Sequence, residues 1–186
     1  MLILASGSPR RRELLQLVTP RFEVVASEVD ERAVGAPTPQ ALVAALAEAK
    51  ARAVAALRPA DVVLGCDTVV DLDGRVLGKP ADRAEAEAML RAYSGRWHYV
   101  RTGVCAVKDG QAHGFVETSK VFFAPLEEDE IAAYAATGEP YDKAGAYAIQ
   151  GGAARFVTRV EGCYFNVMGL PVAALYRLLR QLQALG

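Results

Sequence analysis

The chain has 186 residues, of which 52% are hydrophobic and 23% are charged. This balance is typical of a globular protein and argues against disorder, and the length suits one domain, residues 1–186, with a full core. The formal net charge of -1 argues against a nucleic-acid-binding protein, so any anion binding must be local.

Several classes of protein and of site are excluded by simple signals. The N-terminal apolar stretch is short and interrupted by charges, so we expect no signal peptide and no membrane partner. Cys66, Cys105 and Cys163 lack metal or redox spacing, which indicates reduced thiols in a cytoplasmic protein. His98 and His113 lie in strand-like stretches with polar neighbours, where we expect surface or strand-pair roles. The chemistry is therefore expected from carboxylates, lysines, arginines and a hard divalent cation.

The stretch 6–12 follows an apolar strand candidate and opens an amphipathic helix. Ser8 followed by Pro9 predicts a helix N-cap and the first helical residue. The free N–H groups of a helix N-terminus, together with the guanidinium groups of Arg10 and Arg11, favour a bound polyanion, above all phosphate. This stretch therefore predicts one wall of a phosphate-binding site.

The rest of the sequence alternates strand and helix patterns, which predicts one mixed α/β domain with two lobes around a cleft. Strands are expected at 2–5, 22–25, 61–66, 97–107, 112–123 and 155–160, with a hairpin at 69–77 that turns at Asp73-Gly74. Helices are expected from about 11 to 17, 38 to 57, 82 to 94, 127 to 136 and from 171 onward. The glycine-rich segment 139–152 is predicted as an ordered loop.

Asp67 and Thr68 follow an apolar strand, at a position where open sheets usually place ligands. An isolated aspartate there is commonly only a structural cap. The register of the predicted hairpin sets Thr68 opposite Lys79, while Asp67 needs a bulge near Gly78 to join them. An acid and a lysine at this place suit metal binding and the neutralisation of phosphate charge.

Three further polar positions each have two interpretations. Lys50 lies on the apolar stripe of the long helix, which favours a lysine at the edge of the core; the alternative is a cation that enters the groove. Asp30 and Glu31 are typical of a solvated turn; the alternative is that they bind a cation with Asp67. Gln150 offers a donor and an acceptor that match the edge of a pyrimidine base, within a loop that also packs into the core.

Taken in order, these motifs resemble the Maf nucleoside triphosphate pyrophosphatases over nearly the whole chain. The motifs that carry the resemblance are Ala5–Arg11, Glu48–Ala51, Asp67–Val70, Gly78–Pro80, Leu90–Gly95, Glu139–Gly151 and Asn166–Pro171. Each motif alone is a weak signal, and their ordered combination is specific. The resemblance implies a Maf- and ITPase-like α/β fold, in which a mixed, elongated twisted sheet is flanked by helices around a deep central groove.

The resemblance also implies cleavage of a nucleoside triphosphate to the monophosphate and pyrophosphate, with Mg2+ or Mn2+ as cofactor. Asp67 matches the family's proton acceptor, which activates water, and Asp67 with Glu31 is expected to bind the metal. A cytoplasmic homodimer is implied as well. The expected substrate-binding residues, which line one cleft, are Ser8, Arg10, Arg11, Lys50, Thr68, Lys79 and Gln150.

The expected nucleotide preference rests on the sequence of the glycine-rich segment 139–152. Asp142–Tyr147 followed by Gln150 resembles the branch that acts on dTTP and UTP, so we expect these and modified pyrimidine triphosphates as substrates. The alternatives are a pyrophosphatase for 7-methyl-GTP or another purine triphosphate, and a nucleotide-binding regulator of septum formation. Two departures, Ala148 for a usual glycine and Cys66 for a usual alanine, are small enough to leave the groove open.

Overall fold

The computed structural model describes residues 1–185 of the chain. Its strands are β1 (Leu2–Leu4), β2 (Glu23–Val24), β3 (Val62–Leu72), β4 (Arg75–Leu77), β5 (Trp97–Lys108), β6 (Gln111–Phe123) and β7 (Val157–Glu161). Its helices are α1 (Pro9–Gln16), α2 (Pro39–Ala55), α3 (Arg83–Tyr93), α4 (Glu128–Ala135), α5 (Tyr164–Met168) and α6 (Val172–Gln181). Short 3₁₀ helices cover Glu31–Ala33, Glu139–Asp142, Ala144–Ala146 and Gly152–Phe156.

The strands form one mixed sheet in the order β2-β1-β3-β5-β6-β7, with β4 paired to β3. The contacts of β1 with β2 and β3 are parallel, and the other pairs are antiparallel. Apolar side chains of β3 and β5 pack on both faces, against α1 and α6 on one side and against α2 on the other. The mixed, helix-flanked sheet predicted from the sequence is confirmed.

The edge of β3 that faces β1 is interrupted in the middle. β1 pairs with residues 62–64 of β3, and β4 pairs with residues 70–72, so β1 and β4 approach each other end on. Within the described residues, no strand pairs with 65–69 on this edge. Asp67 and Thr68 therefore lie in the centre of the sheet with one side open.

The predicted extension of the hairpin to Lys79 is wrong. The ladder ends where Val70 pairs with Leu77, and the next residue turns away, because the carbonyl of Gly78 accepts a hydrogen bond from Gly145. No bulge is needed near Gly78, since β3 is one continuous strand whose partner at Asp67 is β5.

Two glycines allow α2 to lie unusually close to the sheet. A β-carbon on Gly65 would stand 2.2 Å from the carbonyl oxygen of Ala47, and one on Gly103 would stand 2.1 Å from that of Val43. Both distances are far below any normal contact, so no larger residue fits at either position. The backbone of α2 therefore rests directly on β3 and β5.

A second core lies at the other end of the sheet, and it corrects one expectation about the histidines. His98 is 1% exposed and stacks among Tyr93, Phe123 and Tyr147, so a surface role for it is wrong. His113 is half-buried on β6. The helix α5 was not predicted, because five residues carry too little periodicity to signal a helix.

The state of the cysteines and the character of the helices can be read directly from the described residues. All three cysteines are free, and Cys66 and Cys105 are buried. Across residues 1–185, no helix combines the length and hydropathy required to cross a bilayer.

Candidate active site

The buried side of the open β3 segment holds an acid, a lysine and a second acid. The Nζ of Lys50 donates to Oδ1 of Asp67 at 2.6 Å and lies 2.8 Å from Oε1 of Glu31. Lys50 and Asp67 are 8% and 7% exposed, whereas the Glu31 side chain is 57% exposed. The lysine thus bridges a buried carboxylate and one that reaches solvent.

Burial raises the pKa of Asp67 above its usual value, because desolvation penalises the carboxylate. The positive charges of Lys50 and Arg11 oppose this shift, and the hydrogen bond from Lys50 favours the ionised form as well. A raised pKa makes the Asp67 carboxylate a stronger base than an exposed one, while the ammonium partner favours the ionised form that can accept a proton. This arrangement fits a general base.

The position of Lys50 follows from the contact between α2 and the sheet. Asp67 pairs with Gly103 on β5, and the missing side chain there leaves room for the helix. The ammonium of Lys50 on α2 is thereby brought onto the Asp67 carboxylate. Lys50 is buried and its ammonium contacts Asp67 and Glu31, so it does not carry its charge out to solvent at the edge of the core.

The opposite face of β3 carries a different polar cluster, centred on Arg11. Its Nε donates to the carbonyl of Gly169 at 2.9 Å, and one terminal nitrogen donates to Oγ1 of Thr68 at 2.9 Å. The other terminal nitrogen donates to Oγ of Ser6 at 3.4 Å. Thr68 Oγ1 also lies 2.9 Å from Oγ1 of Thr102. The guanidinium is held in place with one N–H left on each terminal nitrogen.

The start of α1 has the predicted capping geometry. Ser8 is the N-cap and accepts a hydrogen bond from the amide of Arg11 at 3.5 Å, and Pro9 is the first helical residue. One terminal nitrogen of Arg10 lies 3.6 Å from a carboxylate oxygen of Asp142 in the 139–152 segment. Arg10 therefore joins α1 to that segment across the open edge.

Lys79 and Gln150 are exposed, and among residues 1–185 no ion pair or hydrogen bond joins either side chain to Asp67 or Thr68. Lys79 follows the end of β4, which pairs with the β3 residues next to the open segment. The structure thus brings Lys50, Asp67 and Glu31 into contact, and Arg11 with Thr68. Lys79 and Gln150 are exposed.

Two polar residues that shape the site were not singled out from the sequence. The Glu139 carboxylate accepts from the amide of Gly152 at 3.0 Å and from the hydroxyl of Tyr134 at 2.5 Å, which closes the 139–152 segment on itself. Asn166 is fully buried, and its amide group donates to the Val100 carbonyl and to Ser119. Glu139 and Asn166 begin two of the motifs that carry the family resemblance, but no local signal predicts these contacts for either residue.

A divalent cation has two carboxylates available here, those of Asp67 and Glu31. Within residues 1–185 no group of three or more His, Cys, Asp or Glu side chains is arranged to hold a metal ion. Mg2+ is commonly held by one or two carboxylates, with water and substrate phosphates as the other ligands. The donor set therefore fits a cation that shares its ligands with a phosphate-bearing substrate.

Comparison with known proteins gives consistent results. The family model described as Maf-like protein matches residues 1–182. A dTTP/UTP pyrophosphatase from Geobacillus sp. (strain WCH70) is 51% identical over 185 residues, which cover 100% of this chain and 98% of that protein. One of the same name from Symbiobacterium thermophilum is 53% identical over 180 residues, 97% of this chain and 93% of that protein.

Two solved structures share the fold at low sequence identity. The Staphylococcus aureus Ham1 protein aligns with a TM-score of 0.56 at 16% identity, over 97% of this chain and 98% of that chain. A HAM1 protein from Coxiella burnetii gives a TM-score of 0.55 at the same identity and coverage. The match to the family model over nearly all residues, supported by full-length relatives about half identical, shows that the chain belongs to the Maf family.

Proposed function

We propose that this protein hydrolyses dTTP and UTP to the nucleoside monophosphate and pyrophosphate. Full-length relatives about half identical to the chain carry the name dTTP/UTP pyrophosphatase, which supports the reaction and the substrates. The observation that carries the proposal is the buried Asp67 at the open edge of β3, held by Lys50 and flanked by the arginines of α1.

Asp67 is the general base in this proposal. A water molecule attacks the α-phosphorus, its proton passes to the Asp67 carboxylate, and the bond from the α-phosphorus to the bridging oxygen breaks, so that pyrophosphate leaves. Lys50 orients the carboxylate through the 2.6 Å contact. A positioned base of this kind typically contributes about 100- to 10,000-fold to the rate.

The phosphates are held by the start of α1. The start of α1, capped by Ser8, supplies a helix N-terminus for the anion, and the remaining N–H groups of Arg11 are available for phosphate oxygens. Arg10 and Lys79 complete the positive rim. Charge that develops on the leaving pyrophosphate is neutralised by these fixed cations.

We assign a divalent cation, Mg2+ or Mn2+, to the carboxylates of Asp67 and Glu31. When bound, it would supply Lewis-acid charge to the phosphate oxygens. Lys50 already contacts both carboxylates in the free protein, since its ammonium lies within 2.8 Å of each, and its single charge offsets one of their two negative charges. Binding of a second cation there is therefore favourable mainly when the substrate adds its own negative charge.

Thr68, Gln150 and Arg10 are assigned to substrate choice. Gln150 is exposed, and the donor and acceptor of its amide match the edge of thymine or uracil. Arg10 reaches the same segment through Asp142. The cytoplasmic location, the homodimer and the single domain with two lobes stay predictions from the family resemblance.

The proposal is tested by measuring pyrophosphate release from a panel of triphosphates with Mg2+ or Mn2+ present. We expect dTTP and UTP to have the highest kcat/KM, with 7-methyl-GTP and GTP far lower. A preference for 7-methyl-GTP would contradict the assignment of the loop. Absence of hydrolysis, with tight nucleotide binding, would favour the regulator of septum formation instead.

A further inference from the structure

We infer that His98, which touches neither the cleft nor any of the proposed substrate contacts, is a positioning residue for the cleft rim and acts through Tyr147. The rim here means the segment 142–147, whose residues face α1 and the end of β4. Four observations support this inference, and each concerns a different contact of that segment.

The first is the buried contact between the two rings. Nε2 of His98 lies 2.7 Å from the hydroxyl of Tyr147, and the two residues are 1% and 6% exposed. The imidazole is stacked on Tyr93 at 4.4 Å between ring centroids and meets Phe123 edge to face at 5.2 Å. A ring fixed on three sides offers Tyr147 one hydrogen-bond position only.

The second is the backbone that precedes Tyr147. Gly145 has φ of +74°, and a β-carbon on it would stand 2.4 Å from Val70 Cγ2. Its carbonyl accepts from the hydroxyl of Tyr93 at 3.0 Å. Ala146 follows with φ of +62°, a left-handed conformation that costs free energy in any residue with a β-carbon. This conformation persists only if neighbouring contacts hold it, and Tyr147 is the next residue along.

The third and fourth observations connect the rim to the proposed site. The amide of Gly145 donates to the carbonyl of Gly78 at 2.9 Å, directly before Lys79. At the other end of the segment, the Asp142 carboxylate lies 3.6 Å from Arg10. Release of Tyr147 would therefore loosen two cationic residues that approach the substrate from opposite sides of the open edge.

A neutral imidazole suits this role. Burial lowers the pKa of His98 to about 3, so the ring carries no charge at neutral pH. Its Nδ1 has no hydrogen-bond partner among the described residues, so the hydrogen bond with Tyr147 is the one that the ring makes there. A leucine of similar volume would fill the same space and leave no buried nitrogen without a partner. Packing alone therefore does not explain a histidine at this position.

The test uses Tyr147→Phe and His98→Leu, which remove the hydrogen bond from either side, and His98→Gln, whose amide can restore it. Loss of one neutral hydrogen bond predicts roughly a 3- to 10-fold rise in KM for dTTP with little change in kcat. Amide hydrogen exchange in residues 142–147 should accelerate by a similar factor. His98→Gln should return both quantities towards the wild-type values.

Leu175→Val is the matched control. Leu175 lies on α6, is buried in the core cluster between α6 and the sheet, and does not belong to the core that contains Tyr147. We expect it to lower Tm without a change in KM or in the exchange of 142–147. The inference is overturned if Tyr147→Phe leaves both quantities unchanged, or if Leu175→Val changes them equally.

The kinetic readout depends on the proposed hydrolysis, whereas the exchange readout does not. If the wild-type protein releases no pyrophosphate from dTTP or UTP, the proposed function fails. Exchange in 142–147 then still supports the anchoring role of His98 if it accelerates in Tyr147→Phe, and refutes it if it does not.

Discussion

The two faces of β3 carry different polar chemistry. On the face toward α2, Asp67 and Lys50 are buried together, and burial raises the pKa of the acid. On the opposite face, Thr68 holds the guanidinium of Arg11, which stays charged in any environment. Successive strand residues point to opposite sides, so neighbours in sequence belong to different environments. In the proposed function, the comparison teaches that one strand separates proton transfer from the holding of anions.

The most direct test of this comparison is to substitute a residue on one face at a time. Asp67→Asn should lower kcat by about 100- to 10,000-fold, because an amide cannot accept the proton. Thr68→Val, on the other face, removes one partner of Arg11 and should lower kcat/KM by no more than about 10-fold. The measurement is steady-state dTTP hydrolysis, with Tm to confirm folding. Equal losses in both variants would contradict the separation of roles.

The two faces should also respond in opposite ways to pH. The pKa of His98, on the Thr68 face, falls from 6.5 to about 3, so the unfolded chain binds its proton between these values and the folded chain does not. The free energy of unfolding should therefore decrease as pH falls below about 6.5, by up to ~1.4 kcal/mol per pH unit from this group. Asp67, with a raised pKa, contributes stability at low pH that is lost as pH rises.

Denaturant unfolding at several pH values checks this, with His98→Gln as the comparison. The decrease attributed to His98 should disappear in the variant, while the contributions of the other carboxylates remain in both proteins. Parallel curves for the two proteins would show that His98 titrates alike in the folded and unfolded states.

The distance between α2 and the sheet can be changed directly. Gly103→Ala places a β-carbon 2.1 Å from the Val43 carbonyl, so the helix must move outward. We expect a loss of about 1–3 kcal/mol in the free energy of unfolding from overpacking, together with lower kcat as Lys50 withdraws from Asp67. Gly138→Ala is the control, since its β-carbon would meet nothing within 4 Å. Equal stability of the two variants would disprove this account of α2.

The smallest expected effect concerns the cation. Lys50→Gln removes the charge beside Asp67 and Glu31, so Mn2+ should bind the nucleotide-free protein about 5-fold more tightly, because a unit charge at 4 Å contributes roughly 1 kcal/mol even in water. Mn2+ electron paramagnetic resonance measures the affinity. Arg52→Gln, which removes an exposed positive charge from the same helix, is the control. No difference between the variants would separate Lys50 from the metal site.

The sequence was most informative where local chemistry decides the structure. Ser8 and Pro9 set the start of α1, and Asp73 with Gly74 sets the hairpin, because capping and turn geometry depend on a few adjacent residues. The sequence alone does not identify the partner of Lys50, because the contact with Asp67 depends on the distance between α2 and the sheet. That distance is set by Gly103, which lies far along the chain and has no local signal.

The same reason explains the errors at Lys79 and His98. The sequence predicts a longer hairpin because a strand ladder continues unless another contact ends it. The hydrogen bond from Gly145 to Gly78 that ends this ladder joins distant parts of the chain. The burial of His98 depends on Tyr147, which comes from a loop whose path the sequence does not reveal. Tertiary contacts of this kind override local pattern.

The interruption at residues 65–69 has a consequence for rigidity and for aggregation. An ordinary edge strand is accessible but flexible, and a central strand is rigid but covered. Here β3 is paired with β5 over residues 63–71 and with β1 and β4 at either end, so the open stretch is short and firmly held. The window, residues 65–69, offers a foreign strand few main-chain groups, yet it leaves them free to meet a small ligand.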